Sequence, residues 1–200
     1  MAEENENTPQ NEGAAQAPPA EETPVLTALI GEKFPTRVLS HHCQHGDETV
    51  VISREGMLEV MAFIQTDPRL AMEMMVDLTA VDYLPKSPRF EVVYHFKSLT
   101  HGHRLRLKVP VEEAAAEVDS IINLWVAADW YERECAEMYG IRFAGHPDPR
   151  PLLLYEGFQG HPLRKDYDKG HAQPLVPLRP VQERYDYGET FTPVTRPEEN

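Results

Sequence analysis

The densest run of chemically capable side chains extends from Asp129 to Gly140 and reads Asp-Trp-Tyr-Glu-Arg-Glu-Cys-Ala-Glu-Met-Tyr-Gly. Helical spacing puts Glu134 and Glu137 on one face, and two neighbouring carboxylates are what general acid–base chemistry or a divalent metal needs. Arg133 stands four residues before Glu137, the separation of a helical ion pair. Asp129 stands three before Glu132, which has the form of a capping box with Asp in place of Ser or Thr. Tyr131, Cys135 and Met138 share another stripe, expected to face a core. A solvated helix face is the plainest account of the acids, but aromatics and an arginine among them point to a face that meets charged partners.

Two further groups compete with this one. His41-His42-Cys43-x-His45 offers zinc-ligand types, yet adjacent residues on a strand point to opposite faces, and no second half of a chelate lies nearby. Hairpin polarity accounts for it, as turn polarity accounts for His101-Gly102-His103. The stretch from Arg142 to Tyr167 places His146, Arg150, His161, Arg164, Lys165 and Asp166 among prolines, glycines and Leu152-Leu153-Leu154. It holds no serine nucleophile, and no phosphate-binding glycine loop occurs in the chain. Arginine beside apolar anchors is the composition of a protein–protein interface core.

The elements that must position these residues follow from the apolar pattern. Val25-Leu26 and Leu29-Ile30 predict a short helix ended by Gly31. Arg37–Leu39 and Thr49–Ile52 predict a hairpin through Gly46-Asp47. Residues 54–65 predict a helix with Met57, Leu58, Met61 and Ile64 on its buried stripe, stopped at Thr66-Asp67-Pro68. Strands are expected over 76–83, 90–96 and 104–109, the last with Leu105, Leu107 and Val109 inward. Helix in two or three pieces is expected from Glu112 to Tyr139, ended by Gly140. Beyond Gly140 the chain is proline-rich without a clear amphipathic element. The fold class is therefore α+β: a mixed sheet of about five strands with packed helices, followed by an irregular proline-rich C-terminal arm.

Composition narrows the function. Of 200 residues, 33 are acidic and 19 basic, for a formal net charge of −14. That argues against nucleic-acid binding by phosphate neutralisation and against a polybasic membrane anchor. Residues 1–23 form an acidic extension without any aromatic, Ile, Leu or Val, expected to be disordered. No run of eighteen apolar residues exists to span a bilayer. The two cysteines, Cys43 and Cys135, allow no disulfide framework and no C-x-x-C cluster site. Residues 24–167 are expected to form the folded domain and 168–200 an extended arm.

The blocks Glu132-Arg133-Glu134, Glu137-Met138-Tyr139-Gly140-Ile141, Gly145-His146-Pro147-Asp148, Arg150, Leu152-Leu153 and Gly160-His161-Pro162-Leu163-Arg164-Lys165-Asp166-Tyr167 closely resemble the signature of the thirty-kilodalton (C-type) subunit of NADH:quinone oxidoreductase, respiratory complex I. Asp77–Tyr83 and Val93–Phe96 are similar to that family's upstream strands. Tyr155-Glu156-Gly157-Phe158, and Pro151 after Arg150, depart from its pattern between the matched blocks.

The resemblance implies a non-catalytic assembly subunit in the hydrophilic arm of a proton-pumping enzyme. It implies no catalytic, cofactor or metal residue in this chain, with FMN, iron–sulfur clusters and quinone held by partner subunits. It further implies packing on the quinone-cavity (D-type) subunit near the B-type and I-type subunits, peripherally on the cytoplasmic side of the bacterial plasma membrane. The signature residues Glu132, Arg133, Glu134, Glu137, Gly140, His146, Pro147, Arg150, Gly160, His161, Pro162, Arg164, Lys165, Asp166 and Tyr167 are then expected at subunit interfaces. Two alternatives stand beside this: the equivalent scaffold of a membrane-bound hydrogenase or a ferredoxin- or F420-dependent relative, and a small metal-dependent hydrolase using Glu134, Glu137 and histidines.

Overall fold

A computed structural model of the chain describes residues 25–170 and 172–176. The acidic extension 1–23 and the arm beyond 176 lie outside the described residues. Five strands form a mixed sheet in the order β1-β2-β5-β4-β3, from β1 (Val38–Gln44), β2 (Asp47–Ile52), β3 (Met74–Asp82), β4 (Phe90–Lys97) and β5 (Arg104–Val111). All pairings are antiparallel except β2 with β5, where Val50 lies opposite Leu107. The β1–β2 turn is the two residues His45 (φ 55°) and Gly46 (φ 81°), the doubly left-handed turn that matches strand twist.

Strict alternation in β5 buries Leu105, Leu107 and Val109 as expected, and β4 adds Phe90, Val92, Tyr94 and Phe96 to the same core. Three helices contribute to it: α1 (Val25–Lys33) through Leu26 and Ile30, α2 (Met57–Thr66) through Met61 and Ile64, and α3 (Ala128–Tyr139) through Ala128 and Cys135. The Glu48 carboxylate on β2 accepts the N–H groups of Val25, Leu26 and Thr27, so a strand residue satisfies the orphan donors that open α1. The Trp125 indole N–H donates to the Met72 carbonyl at 3.1 Å and locks the approach to α3 beside β3.

Several expectations are corrected. Gly31 lies inside α1 rather than beyond it. On α2, Leu58 is exposed and Val60 takes its place in the core. Residues 112–127 are not helical beyond a 3₁₀ turn at Glu113–Ala115. Instead β6 (Glu117–Asp119) pairs in parallel with β7 (Arg142–Ala144), a short strand in the stretch expected to be irregular. The alanines at 114–116 favour helix, but tertiary pairing outweighs a propensity of a few tenths of a kcal/mol per residue. Helix α3 starts one residue before Asp129 with no side-chain cap, so the capping box does not form.

Candidate functional site

The signature residues converge on the C-terminal half of α3 and the irregular segment that follows it. Helix α3 ends at Gly140, whose φ of 73° is left-handed and whose N–H bonds the Ala136 carbonyl at 2.8 Å. The next three helix carbonyls lack intrahelical partners, and residues 161–164 supply one to each. His161 Nδ1–H donates to the Glu137 carbonyl at 2.8 Å, the Leu163 N–H to the Met138 carbonyl at 3.2 Å, and Arg164 Nε–H to the Tyr139 carbonyl at 2.5 Å. The Gly-His-Pro-Leu-Arg run thus caps the helix, and its arginine also complements the negative end of the helix dipole. A Cβ on Gly140 would stand 2.5 Å from His161 Nε2 and 2.6 Å from Arg164 Nη2, so this close approach needs glycine.

The segment 150–154 is held from the helix side. The Glu137 carboxylate accepts the N–H groups of Leu152, Leu153 and Leu154 at 2.9, 2.8 and 3.2 Å. Arg133 donates through Nε to the Arg150 carbonyl at 2.8 Å and through Nη2 to the Pro151 carbonyl at 3.2 Å. The expected Arg133–Glu137 ion pair therefore does not form. A chain interrupted by Pro149 and Pro151 has no ladder partner, and these two side chains satisfy its backbone instead.

Arg89, just before β4, is the charge centre of the site. Its side chain is 5% exposed and pairs bidentately with Asp82 at 2.9 and 3.1 Å and with Asp166 at 2.6 and 3.0 Å, with Glu113 as a third acid. Asp82 also accepts the N–H groups of Leu84 and Lys165. The Arg89 guanidinium, reinforced by those N–H groups, holds the Asp82 carboxyl far below the usual range, and Arg89 lowers Asp166 as well. The guanidiniums of Arg89 and Arg164 lie over the Phe90 ring, at 4.9 and 5.1 Å from its centroid. Tyr167 closes the turn by packing on Gly160, and its hydroxyl accepts from Gln173, which ties the start of the arm back to the domain.

A second buried group sits at the other end of α3. Glu132 is fully buried, which the stripe Tyr131–Cys135–Met138 does not predict; of that stripe only Cys135 is fully buried. The Glu132 Oε1 accepts the Ile121 N–H at 2.8 Å. Burial pushes its carboxyl upward against the opposing pull of the Ser120 side chain and the Ile121 N–H. His146 accepts the Asp148 N–H on Nδ1 at 3.1 Å, which leaves the proton on Nε2, 3.3 Å from the Asp129 carbonyl oxygen. Pro147, Gly145 and the Asp148–Arg150 bidentate pair shape the loop that carries it.

The acid–base reading of Glu134 and Glu137 does not survive this geometry. Glu137 is engaged by three N–H groups and Glu134 points to solvent. Cys135 is buried with its thiol pushed up by burial, the opposite of an activated nucleophile. Among the described residues no three His, Cys, Asp or Glu side chains converge to hold a metal ion, and His41, His42, Cys43 and His45 are all exposed. Sequence reasoning missed Arg89, in the loop before β4, and Glu113, which opens the 3₁₀ turn, and the meeting of Arg89 with Asp166 joins residues 77 apart in the chain.

Residues 50–173 match the family described as respiratory-chain NADH dehydrogenase, 30 Kd subunit. The C-type subunit of the NADH-quinone oxidoreductase of Dinoroseobacter shibae is 44% identical over 142 residues, covering 71% of this chain and 66% of the relative, just under two thirds of its length. Its counterpart in Acidithiobacillus ferrooxidans is 40% identical over 180 residues, covering 87% of this chain and 86% of the relative. Among solved structures, the trypsin-resistant fragment (1-134) of Nqo5 superimposes with a TM-score of 0.55 at 30% identity, covering 62% of this chain and 98% of the fragment. With the match covering more than half of its length, the chain belongs to the 30 Kd subunit family of respiratory-chain NADH dehydrogenase.

Proposed function

We propose that this chain is a non-catalytic assembly subunit in the hydrophilic arm of a proton-pumping NADH:quinone oxidoreductase, packed on the quinone-cavity (D-type) subunit near the B-type and I-type subunits. In this reading it lies peripherally on the cytoplasmic side of the bacterial plasma membrane, and no helix among the described residues is long and apolar enough to cross one. FMN, iron–sulfur clusters and quinone belong to its partners, and this chain binds none of them. The observation that carries the reading is that the signature side chains are engaged in closing their own domain. Glu137, Arg133, His161, Arg164 and Asp166 all hold backbone groups or Arg89. Residues arranged in this way fix the shape of a surface.

The test is a strain whose own copy is replaced by Arg164→Ala. Loss of the bond to the Tyr139 carbonyl and of the contact with Phe90 should lower the amount of assembled complex on native gels severalfold. The NADH-to-quinone rate per assembled complex should stay near wild type. Normal assembly with lost turnover would overturn the reading, because that is how a group acting in the transition state behaves.

A further inference from the structure

The outer side of α3 and the chain beside it expose an apolar surface that the other described residues leave uncovered. Trp130 is 61% exposed, Val126 82% and Leu153 62%. The Arg133 guanidinium lies 5.9 Å from the Trp130 ring centroid and reaches the Pro151 carbonyl, so Trp130 and segment 150–154 form one surface. That surface continues into a cleft of about 590 Å³ walled by Pro151, Leu154, Tyr155 and Phe158. Exposed tryptophan backed by arginine and bordered by leucine is the make-up of an interface hot spot, and a patch of this kind on a soluble domain marks an interaction site.

Charge selects the occupant. The two arginines at the patch are already committed, Arg133 to backbone carbonyls and Arg150 bidentately to Asp148. Glu134 and Glu156 are exposed at its border, so the rim presents acids without nearby free cations among the described residues. The chain as a whole carries −14. A second copy would bring the same charge. The start of the arm already passes the cleft, where the Tyr155 hydroxyl donates to the Pro174 carbonyl at 3.0 Å, but residues 177–200 beyond it hold five acids against three arginines and would meet a like-charged rim. We propose that Trp130 and the adjoining Leu153–Tyr155 cleft dock an apolar segment bordered by lysine or arginine on another protein of the assembly. This rests on the assembly role above and specifies the surface and the chemistry of the partner.

The experiment rebinds the purified 200-residue chain to membranes from a strain lacking it, scoring reconstituted complex against chain concentration and salt. Trp130→Ala should weaken rebinding at least tenfold, while the unfolding midpoint of the purified chain stays unchanged because the indole is solvent-facing. Glu134→Lys and Glu156→Lys should each weaken it severalfold, and wild-type rebinding should weaken as salt rises. Wild-type rebinding with Trp130→Ala equal to it would overturn this inference and leave the assembly role standing. Tighter rebinding by Glu134→Lys would overturn it in favour of an acidic partner. A drop in the unfolding midpoint shared by Trp130→Ala and deletion of 177–200 would assign the patch to the chain's own arm. Loss of a dimer in Trp130→Ala by sedimentation would assign it to a second copy. Failure of the wild-type chain to rebind at all would remove the assembly role and this inference with it.

Discussion

In the sheet, Leu105, Leu107 and Val109 alternate with Arg104, Arg106 and Lys108, and each inward residue touches several others of one core. In segment 145–167 no such alternation exists: Glu137 and Arg133 hold its backbone groups, and its own His161 and Arg164 hold the last carbonyls of α3. The sheet is specified by many redundant apolar contacts, each of which relaxes in part when one is cut back. This clasp of α3 and segment 145–167 rests on a few part-buried or exposed polar contacts, and no neighbouring contact takes over when one is removed. The same chain thus contains one region that tolerates change gradually and one in which single side chains decide whether the segment stays docked.

The largest expected effect tests that contrast at Arg89. Arg89→Ala leaves the Asp82 carboxylate, 2% exposed, buried without its cation and frees Asp166. Breaking a buried pair from one side costs about 3–5 kcal/mol. The denaturant midpoint of the purified chain should fall accordingly at neutral pH. Arg89→Lys should recover only part of the loss, since an ammonium cannot grip two carboxylates bidentately. The double change Arg89→Ala with Asp82→Asn should cost less than the sum of the two. A loss below about 1 kcal/mol for Arg89→Ala would erase the distinction between the two regions.

The same contrast explains what the sequence made legible. Strand positions are readable because period-two alternation reports a half-buried sheet directly, and turn chemistry announces the hairpin expected at Gly46-Asp47, which forms one residue earlier at His45-Gly46. The signature residues were readable as a set, through their spacing and the family resemblance, but not in their roles. Arg133 and Glu137 have ideal helical spacing for each other, yet a proline-broken neighbour with unsatisfied backbone groups competes for both. Likewise Asp129 and Glu132 have capping-box spacing, while the isolated Ile121 N–H draws Glu132 inward. Arg89 is invisible because two of its three acids, Glu113 and Asp166, stand 24 and 77 residues away, which no local pattern encodes.

A smaller effect, of opposite sign, is expected at Glu132, the buried carboxyl without an arginine. Its folded pKa lies above the unfolded value of about 4.3, so the native state holds this proton more tightly. The stability it confers is complete below about pH 4.3 and is lost as pH rises through the folded value. Asp82 behaves inversely: its pKa is depressed, so its contribution is present above about pH 3.9 and lost as pH falls further. Glu132→Gln keeps an acceptor for the Ile121 N–H and removes the charge. It should raise stability at pH 7 by on the order of 1 kcal/mol and flatten the decline that sets in as pH rises above about 4.3, measured by thermal midpoints from acid to neutral pH. An unchanged slope would show that Glu132 titrates alike in both states.

The smallest effect belongs to the histidines of β1, which stand on the edge strand of the sheet away from its core. His41 and His42 are exposed, and their register neighbours across the hairpin are Val50 and Thr49. Neither side chain closes a backbone group or faces a buried acid, so His41→Ala and His42→Ala should each change stability by no more than about 0.5 kcal/mol. A zinc titration decides the remaining point. A ligand that binds only the folded state stabilises it by about 2.7 kcal/mol at a hundred times its dissociation constant. Successive strand residues direct their imidazoles to opposite faces, so added zinc should leave the midpoint of the wild-type chain where it stands in buffer. A rise of that size, abolished by His41→Ala, would show that a second ligand set assembles around this hairpin, and the edge of the sheet would then rank with the clasp as a place where single polar side chains decide the outcome.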